Sequence, residues 1–126
     1  FNKEEYQVSG GQENFLSFVD QDKRLYSLLR LFLPQDKEVI FSCLGKAAII
    51  RELHTYGQAL PLEGKEKEAF QHRGLGRKLL GKAEEIAKSN GYSRLAVIAG
   101  VGAREYYRRE GYHLEETYMV KEINNG

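Results

Sequence analysis

The run "FQHRGLGRKLLGKAEEIAKSNGY" occupies residues 70–92, and its reading decides the fold. Gly74 and Gly76 are separated by one residue and sit among Arg73, Arg77 and Lys78. Beyond them Leu75, Leu79, Leu80, Ala83, Ile86 and Ala87 fall on one face of a helix that reaches about residue 90. Gly91, after "KSN", predicts the left-handed turn that ends it. A helix N-terminus carries unsatisfied N–H groups and the positive end of a dipole, so it suits phosphate. Glycines at 74 and 76 would let the backbone approach an oxygen with no Cβ between them.

Three phosphate loops compete for this run. A dinucleotide fingerprint GxGxxG needs glycine where the chain has Leu79, and a parallel βαβ start that the N-terminal half does not supply. "GRKLLGKA" (76–83) approaches a Walker loop but ends in Ala83, so the hydroxyl that would hold magnesium is missing. The third pattern, Q-x-x-G-x-G, is filled at every position by "QHRGLG" (71–76). The plain alternative is a glycine-rich turn that merely starts a helix.

On the N-terminal side, "ENFLSFVD" (13–20) and "RLYSLLRLFLP" (24–34) flank a turn and predict a β-hairpin closed by Pro34. Residues 38–60 predict a short strand, a Gly45–Lys46 turn and a longer strand over about 47–57. "PLEGKEKEAF" (61–70) is the most polar connection and reads as a mobile loop. On the C-terminal side, "RLAVIAG" (94–100) predicts a short buried strand and "AREYYRRE" (103–110) a second helix ended by Gly111. "YHLEETYMVKEI" (112–123) predicts a last strand or a kinked pair. The order makes one mixed α/β (α+β) domain over residues 1–126.

Length and composition agree. A chain of 126 residues suffices for one core, and 41% hydrophobic against 29% charged residues excludes a disordered chain. The net charge of +1 makes no global demand for nucleic acid or membrane. Residues 71–126 nevertheless carry ten Lys+Arg against seven Asp+Glu, while residues 1–70 carry nine against eleven. The positive excess thus lies with the glycine loop, which favours an anionic ligand there. Cys43 is the only cysteine, so no internal disulfide, CxxC zinc pair or cysteine-ligated iron–sulfur cluster fits within these residues. No metal site is expected. A reducing, cytoplasmic compartment is, with no membrane-spanning run. The start at Phe1 rather than Met suggests a piece of something longer.

"QHRGLG" between a strand and a long helix resembles the acetyl-CoA loop of the GNAT acetyltransferase superfamily. The resemblance implies the GNAT fold, a mixed and mostly antiparallel sheet with helices on both faces, here with N-terminal elements missing. It also implies coenzyme A pyrophosphate on the loop, through Gln71, Arg73, Gly74, Leu75, Gly76 and Arg77. "EYYRREGY" (105–112) resembles the second GNAT signature, F/Y-Y-x-x-x-G-F/Y, which places the Tyr107 hydroxyl at the coenzyme sulfur. A phenol near its ordinary pKa of about 10 could protonate a thiolate leaving group. Tyr106 reads as packing, and a core aromatic is the plain alternative for both.

The strand before the loop contains "RELHTYG" (51–57), and the resemblance sets Glu52, Leu53, His54 and Thr55 along the pantetheine arm. Strand alternation puts Glu52 and His54 on one face and Leu53 and Thr55 on the other. A carboxylate and an imidazole together could position or deprotonate water or an amine, with either residue as base. They could equally be a buried structural pair. His72 reads as a loop residue, and His113 is given no role.

"IIRELHTYG", "FQHRGLG", "GVGAREYYRREGY" and "TYMVK" together resemble the acetyltransferase-like C-terminal domain in the family of Elongator catalytic subunits. The likeness runs from about residue 10 and includes the hairpin and the long connection 58–70. It implies an acyltransferase that binds acetyl-CoA and hydrolyses or transfers its acetyl group for C5 carboxymethylation of the tRNA wobble uridine (U34). The partners implied are tRNA and a radical S-adenosylmethionine (SAM) domain of the same full-length protein. The iron–sulfur cluster and S-adenosylmethionine would belong to that domain, absent from these residues. Lys82, Arg104, Arg108 and Arg109 are candidates for a tRNA-facing surface, or simply solvated helix faces. Two other functions fit the residues: a free-standing GNAT N-acetyltransferase acting on a protein or small-molecule amine, and a non-catalytic acetyl-CoA- or tRNA-binding module.

Overall fold

The computed structural model describes residues 1–19, 25–35, 47–55 and 74–123. Four strands come first: β1 Asn2–Val8, β2 Gly11–Val19, β3 Leu25–Pro34 and β4 Ala47–Thr55. Then follow helix α1 (Leu75–Ser89), β5 (Arg94–Ile98), a 3-10 turn (Val101–Ala103), helix α2 (Arg104–Arg109), β6 (His113–Glu115) and β7 (Tyr118–Glu122). These strands form one sheet in the order β1-β2-β3-β4-β5-β7-β6. Every neighbouring pair is antiparallel except β4–β5, which is parallel.

The expected hairpin is β2–β3, with Leu16 opposite Leu29. The expected helix is α1, closed at its C-terminus by Gly91 at φ +89°. The C-terminal segment is the kinked pair, β6 and β7, reversing at Glu116 with φ +56°. The expected longer strand is β4, described over Ala47–Thr55; residues 56 and 57 of that expectation lie outside the described residues. Sequence reasoning missed β1, because "NKEEYQV" has no apolar face and every residue in it is exposed. Pairing along β2 makes it a strand, from Asn2–Ser17 to Val8–Gly11. The predicted short strand before Gly45, Cys43, the 58–70 connection, Gln71, His72 and Arg73 lie outside the described residues.

Alternation along the strands sends one set of side chains to the core. Leu16, Leu29, Leu31, Ala48, Ile50, Leu95, Val97 and Met119 meet Leu79, Leu80, Ala83 and Ala87 of α1, Tyr107 of α2, and Tyr112 just beyond it. Leu79, Ala83 and Ala87 are fully buried, and burial of a leucine contributes roughly 1.5–3 kcal/mol. The helical stripe read from the sequence thus fixes α1 against β2, β3 and β4. Both described helices feed this cluster, while Ala47, Ala96 and Val120 make a smaller one on the opposite face. Among the described residues no helix is long and apolar enough to cross a membrane.

Candidate active site

The site begins where β4 and β5 part. Their parallel pairing runs from Ala47–Arg94 to Ile50–Val97 and then stops. A register shift beside Arg51 bends β4: Leu31 faces Ile50, and Arg30 faces Glu52. Residues 52–55 keep β3 as partner, opposite Arg30 to Ser27, with no β5 partner on the other edge. Two cavities occupy the opening, of about 590 and 240 Å³, and Leu53, Ala103 and Tyr107 line both. The larger is of ordinary ligand-site size.

Alternation splits β4 between them. Leu53 and Thr55 line the larger cavity; Glu52, Leu53 and His54 line the smaller. The N-terminus of α1 closes the larger one through Gly74, Gly76 and Arg77. The two glycines have different reasons. Gly74, the N-cap, is left-handed at φ +85° with open space around it, so its backbone demands glycine. Gly76 needs the missing side chain: a Cβ there would stand 3.1 Å from Thr55 Oγ1 and 3.2 Å from the Tyr106 hydroxyl. Among the described residues no side chain caps α1; the first N–H groups of such a helix suit an anion. The Leu75 side chain is buried and lines neither cavity.

The tyrosines divide the work differently from the sequence reading. Tyr107 is only 6% exposed, with its ring edge-on to Tyr106 (5.1 Å) and Tyr112 (5.6 Å). Burial, and then the neighbouring Tyr106, push its hydroxyl up to about 12. Tyr106, expected only to pack, does pack against the core but also lines the larger cavity and reaches Gly76. Its hydroxyl is raised by burial and by Glu110, against the lowering pull of Arg77 and Arg109. Arg109 and Glu110 also line this cavity.

A family model described as Acetyltransferase (GNAT) family matches residues 67–112, the stretch from before the glycine loop through the tyrosine helix. The chain is 48% identical over 95% of its length to the tRNA uridine(34) acetyltransferase of Dehalococcoides mccartyi (strain CBDB1), covering 27% of that protein. It is 43% identical over 94% of its length to human Elongator complex protein 3, covering 22% of it. It superposes on the archaeal Methanocaldococcus infernus Elp3 (solved with an N-terminal deletion) with a TM-score of 0.76 and 39% identity, covering 96% of this chain and 29% of that one. The chain has the GNAT fold and is homologous to Elongator complex protein 3. It spans about a quarter of the length of these relatives.

Within this GNAT domain, Glu52 and His54 meet as a pair, His54 Nε2 lying 3.0 Å from Glu52 Oε2. Glu52 is held from behind by Arg30 at 3.2 Å, and Arg30 and Arg51 both approach the buried Glu13, at 3.8 and 3.5 Å. This ladder of charge crosses β2, β3 and β4, and no spacing within one element could have revealed it. The basic residues singled out in the sequence do not converge. Lys82 lies over the Phe1 ring and Arg108 pairs with Glu105 of its own helix, while Arg109 alone of the four lines a cavity of the site. His113 pairs with Glu115, away from both cavities.

Proposed function

We propose that this domain binds acetyl-CoA in the opening between β4 and β5 and hydrolyses or transfers its acetyl group for tRNA wobble-uridine modification. The end product on this reading is C5-carboxymethylated uridine at position 34, made with a radical SAM domain outside this chain. The names of the relatives, a tRNA uridine(34) acetyltransferase among them, support the substrate. The observation that carries the reading is the junction, among the described residues, of a β4 edge without a β5 partner and a helix N-terminus without a side-chain cap, pressed together at Gly76.

On this reading the N–H groups of Leu75, Gly76 and Arg77 take the pyrophosphate, aided by the Arg77 guanidinium. Gln71 and Arg73 belong to the same grip. The open edge of β4 at residues 52–55 pairs with the amides of the pantetheine arm, as an added strand would. His54, oriented by Glu52, draws a proton from the attacking water or acceptor. Tyr107 faces the sulfur that leaves.

Burial alters the chemistry first expected of Tyr107. At about 12 it keeps its proton through the physiological range. Full transfer to a thiolate near pKa 8.5 would be roughly 5 kcal/mol uphill, so its contribution is a hydrogen bond to the developing thiolate.

Titration calorimetry with coenzyme A tests the binding claim, and acetyl-CoA hydrolysis with and without tRNA tests the rest. The reading expects micromolar-range binding and turnover that rises with tRNA. Absence of coenzyme A binding would remove it. Binding without turnover, in the full-length protein with tRNA present, would leave a non-catalytic module.

A further inference from the structure

Arg77 lines the cavity at the proposed pyrophosphate seat, yet it is engaged elsewhere. Its Nε donates to Glu110 Oε1 at 3.0 Å, joining the first turn of α1 to the residue that ends α2. Both residues line the larger cavity. Arg77 is mostly exposed while Glu110 is only 18% exposed, so the carboxylate is the fixed member and the guanidinium the movable one. The Glu110 backbone is held by Lys121 Nζ at its carbonyl, 3.1 Å away, which anchors that end. A carboxylate at an anion site is unfavourable for the ligand, because it engages the Arg77 guanidinium that the ligand would use.

We propose that Glu110 is a resident competitor for the phosphate-binding cation. In the empty site it holds Arg77 across the mouth of the larger cavity, and an arriving diphosphate takes the guanidinium from it. Coenzyme A affinity is therefore set below what the helix N-terminus and Arg77 could give together. The inference rests on the acetyl-CoA reading and adds to it an affinity-determining residue. The physical argument is an exchange of partners. Arg77 gives up one charge-assisted bond to a carboxylate and gains one to a phosphate oxygen, so the net gain from Arg77 is small while Glu110 is present. With Glu110 neutral, the same guanidinium starts unpaired and its whole interaction goes to the ligand.

Calorimetry with coenzyme A on the chain, Glu110→Gln, Arg77→Gln and the double variant tests this at low and high salt. The expected result is about three- to tenfold tighter binding for Glu110→Gln at low salt and a smaller gain at high salt. Arg77→Gln binds more weakly than the unaltered chain. In the Arg77→Gln background, Glu110→Gln changes affinity by less than about twofold, since nothing is left to release. Dephospho-coenzyme A, which keeps the diphosphate, shows the same gain. Glu110→Ala is the second variant, and melting curves check that both fold, as the Lys121 bond to the backbone carbonyl is untouched. Equal tightening in both backgrounds overturns the competitor, because Glu110 then acts only through space. Unchanged or weaker binding in Glu110→Gln overturns it as well. If no form of the chain binds coenzyme A, the acetyl-CoA reading fails and this inference with it.

Discussion

Gly76 and Tyr106 touch at a point where a single methyl group would intrude: a Cβ on Gly76 would stand 3.2 Å from the Tyr106 hydroxyl. The same Cβ would lie 3.1 Å from Thr55 Oγ1. Three elements (β4, the start of α1, and α2) therefore close on one small volume. Gly76→Ala is expected to weaken coenzyme A binding about tenfold or more, because displacement of Thr55 or Tyr106 reshapes the seat. Its melting temperature should barely move, since alanine gains up to about 1 kcal/mol of helix propensity over glycine and the contact costs a similar amount. Gly74→Ala should do the reverse in part, losing about 1 kcal/mol of stability to its left-handed backbone. Calorimetry and thermal melts separate the two; equal binding losses with equal stability losses would count against distinct roles.

Tyr107→Phe keeps the ring that packs against Tyr106 and Tyr112 and removes only the hydroxyl. Coenzyme A affinity should stay within about threefold, while acetyl-CoA hydrolysis in the full-length protein falls about 10²-fold, the loss of one hydrogen bond to developing charge. The check is kcat at saturating acetyl-CoA. A kcat unchanged by the substitution would leave Tyr107 as a core aromatic.

Much of the frame was legible because the relevant patterns are local. The apolar stripe from Leu75 to Ala87 could only be a helix, and period-two alternation placed Glu52 with His54 and Leu53 with Thr55. Strand β1 was not legible, because its stability comes from backbone pairing along β2 rather than from an apolar face. Tyr106 was expected to pack and Tyr107 to face the site, yet Tyr107 is the more buried and both line the larger cavity. A helix of six residues is too short for periodicity to say which hydroxyl reaches a neighbouring element. The Arg77–Glu110 pair spans 33 residues, and only the fold brings it together.

The raised tyrosine also carries a pH signature. Tyr107 titrates at about 12 in the folded chain against 10.0 for an ordinary tyrosine. The folded state therefore holds a proton that the unfolded state has lost. The stability this represents is fully present below pH 10 and is lost as pH rises toward 12, at about 1.4 kcal/mol per pH unit. Tyr112, raised by burial and by Glu84, acts in the same direction. Urea unfolding from pH 9 to 11 should show the decline, and Tyr107→Phe should have a slope shallower by one proton. An identical slope in the variant would mean that Tyr107 is not shielded from solvent as its burial indicates.

Glu52 and His54 lie on the side of β4 away from Thr55 and Gly76, and this separation makes binding and turnover separable by mutation. His54→Ala should leave the KM for acetyl-CoA within about twofold and lower kcat about 10²-fold, the usual worth of a positioned general base. Glu52→Gln should lower kcat less, since it orients the imidazole and does not touch the reacting atoms. Neither should cost more than about 1 kcal/mol of stability, because both side chains are more than a third exposed or nearly so, and their pair is screened. Steady-state kinetics of the full-length protein with tRNA present make the measurement. A rise in KM with kcat intact would turn the pair into binding residues and move the base elsewhere. A large fall in melting temperature for Glu52→Gln would instead assign the pair to holding β4 against Arg30, 3.2 Å behind it.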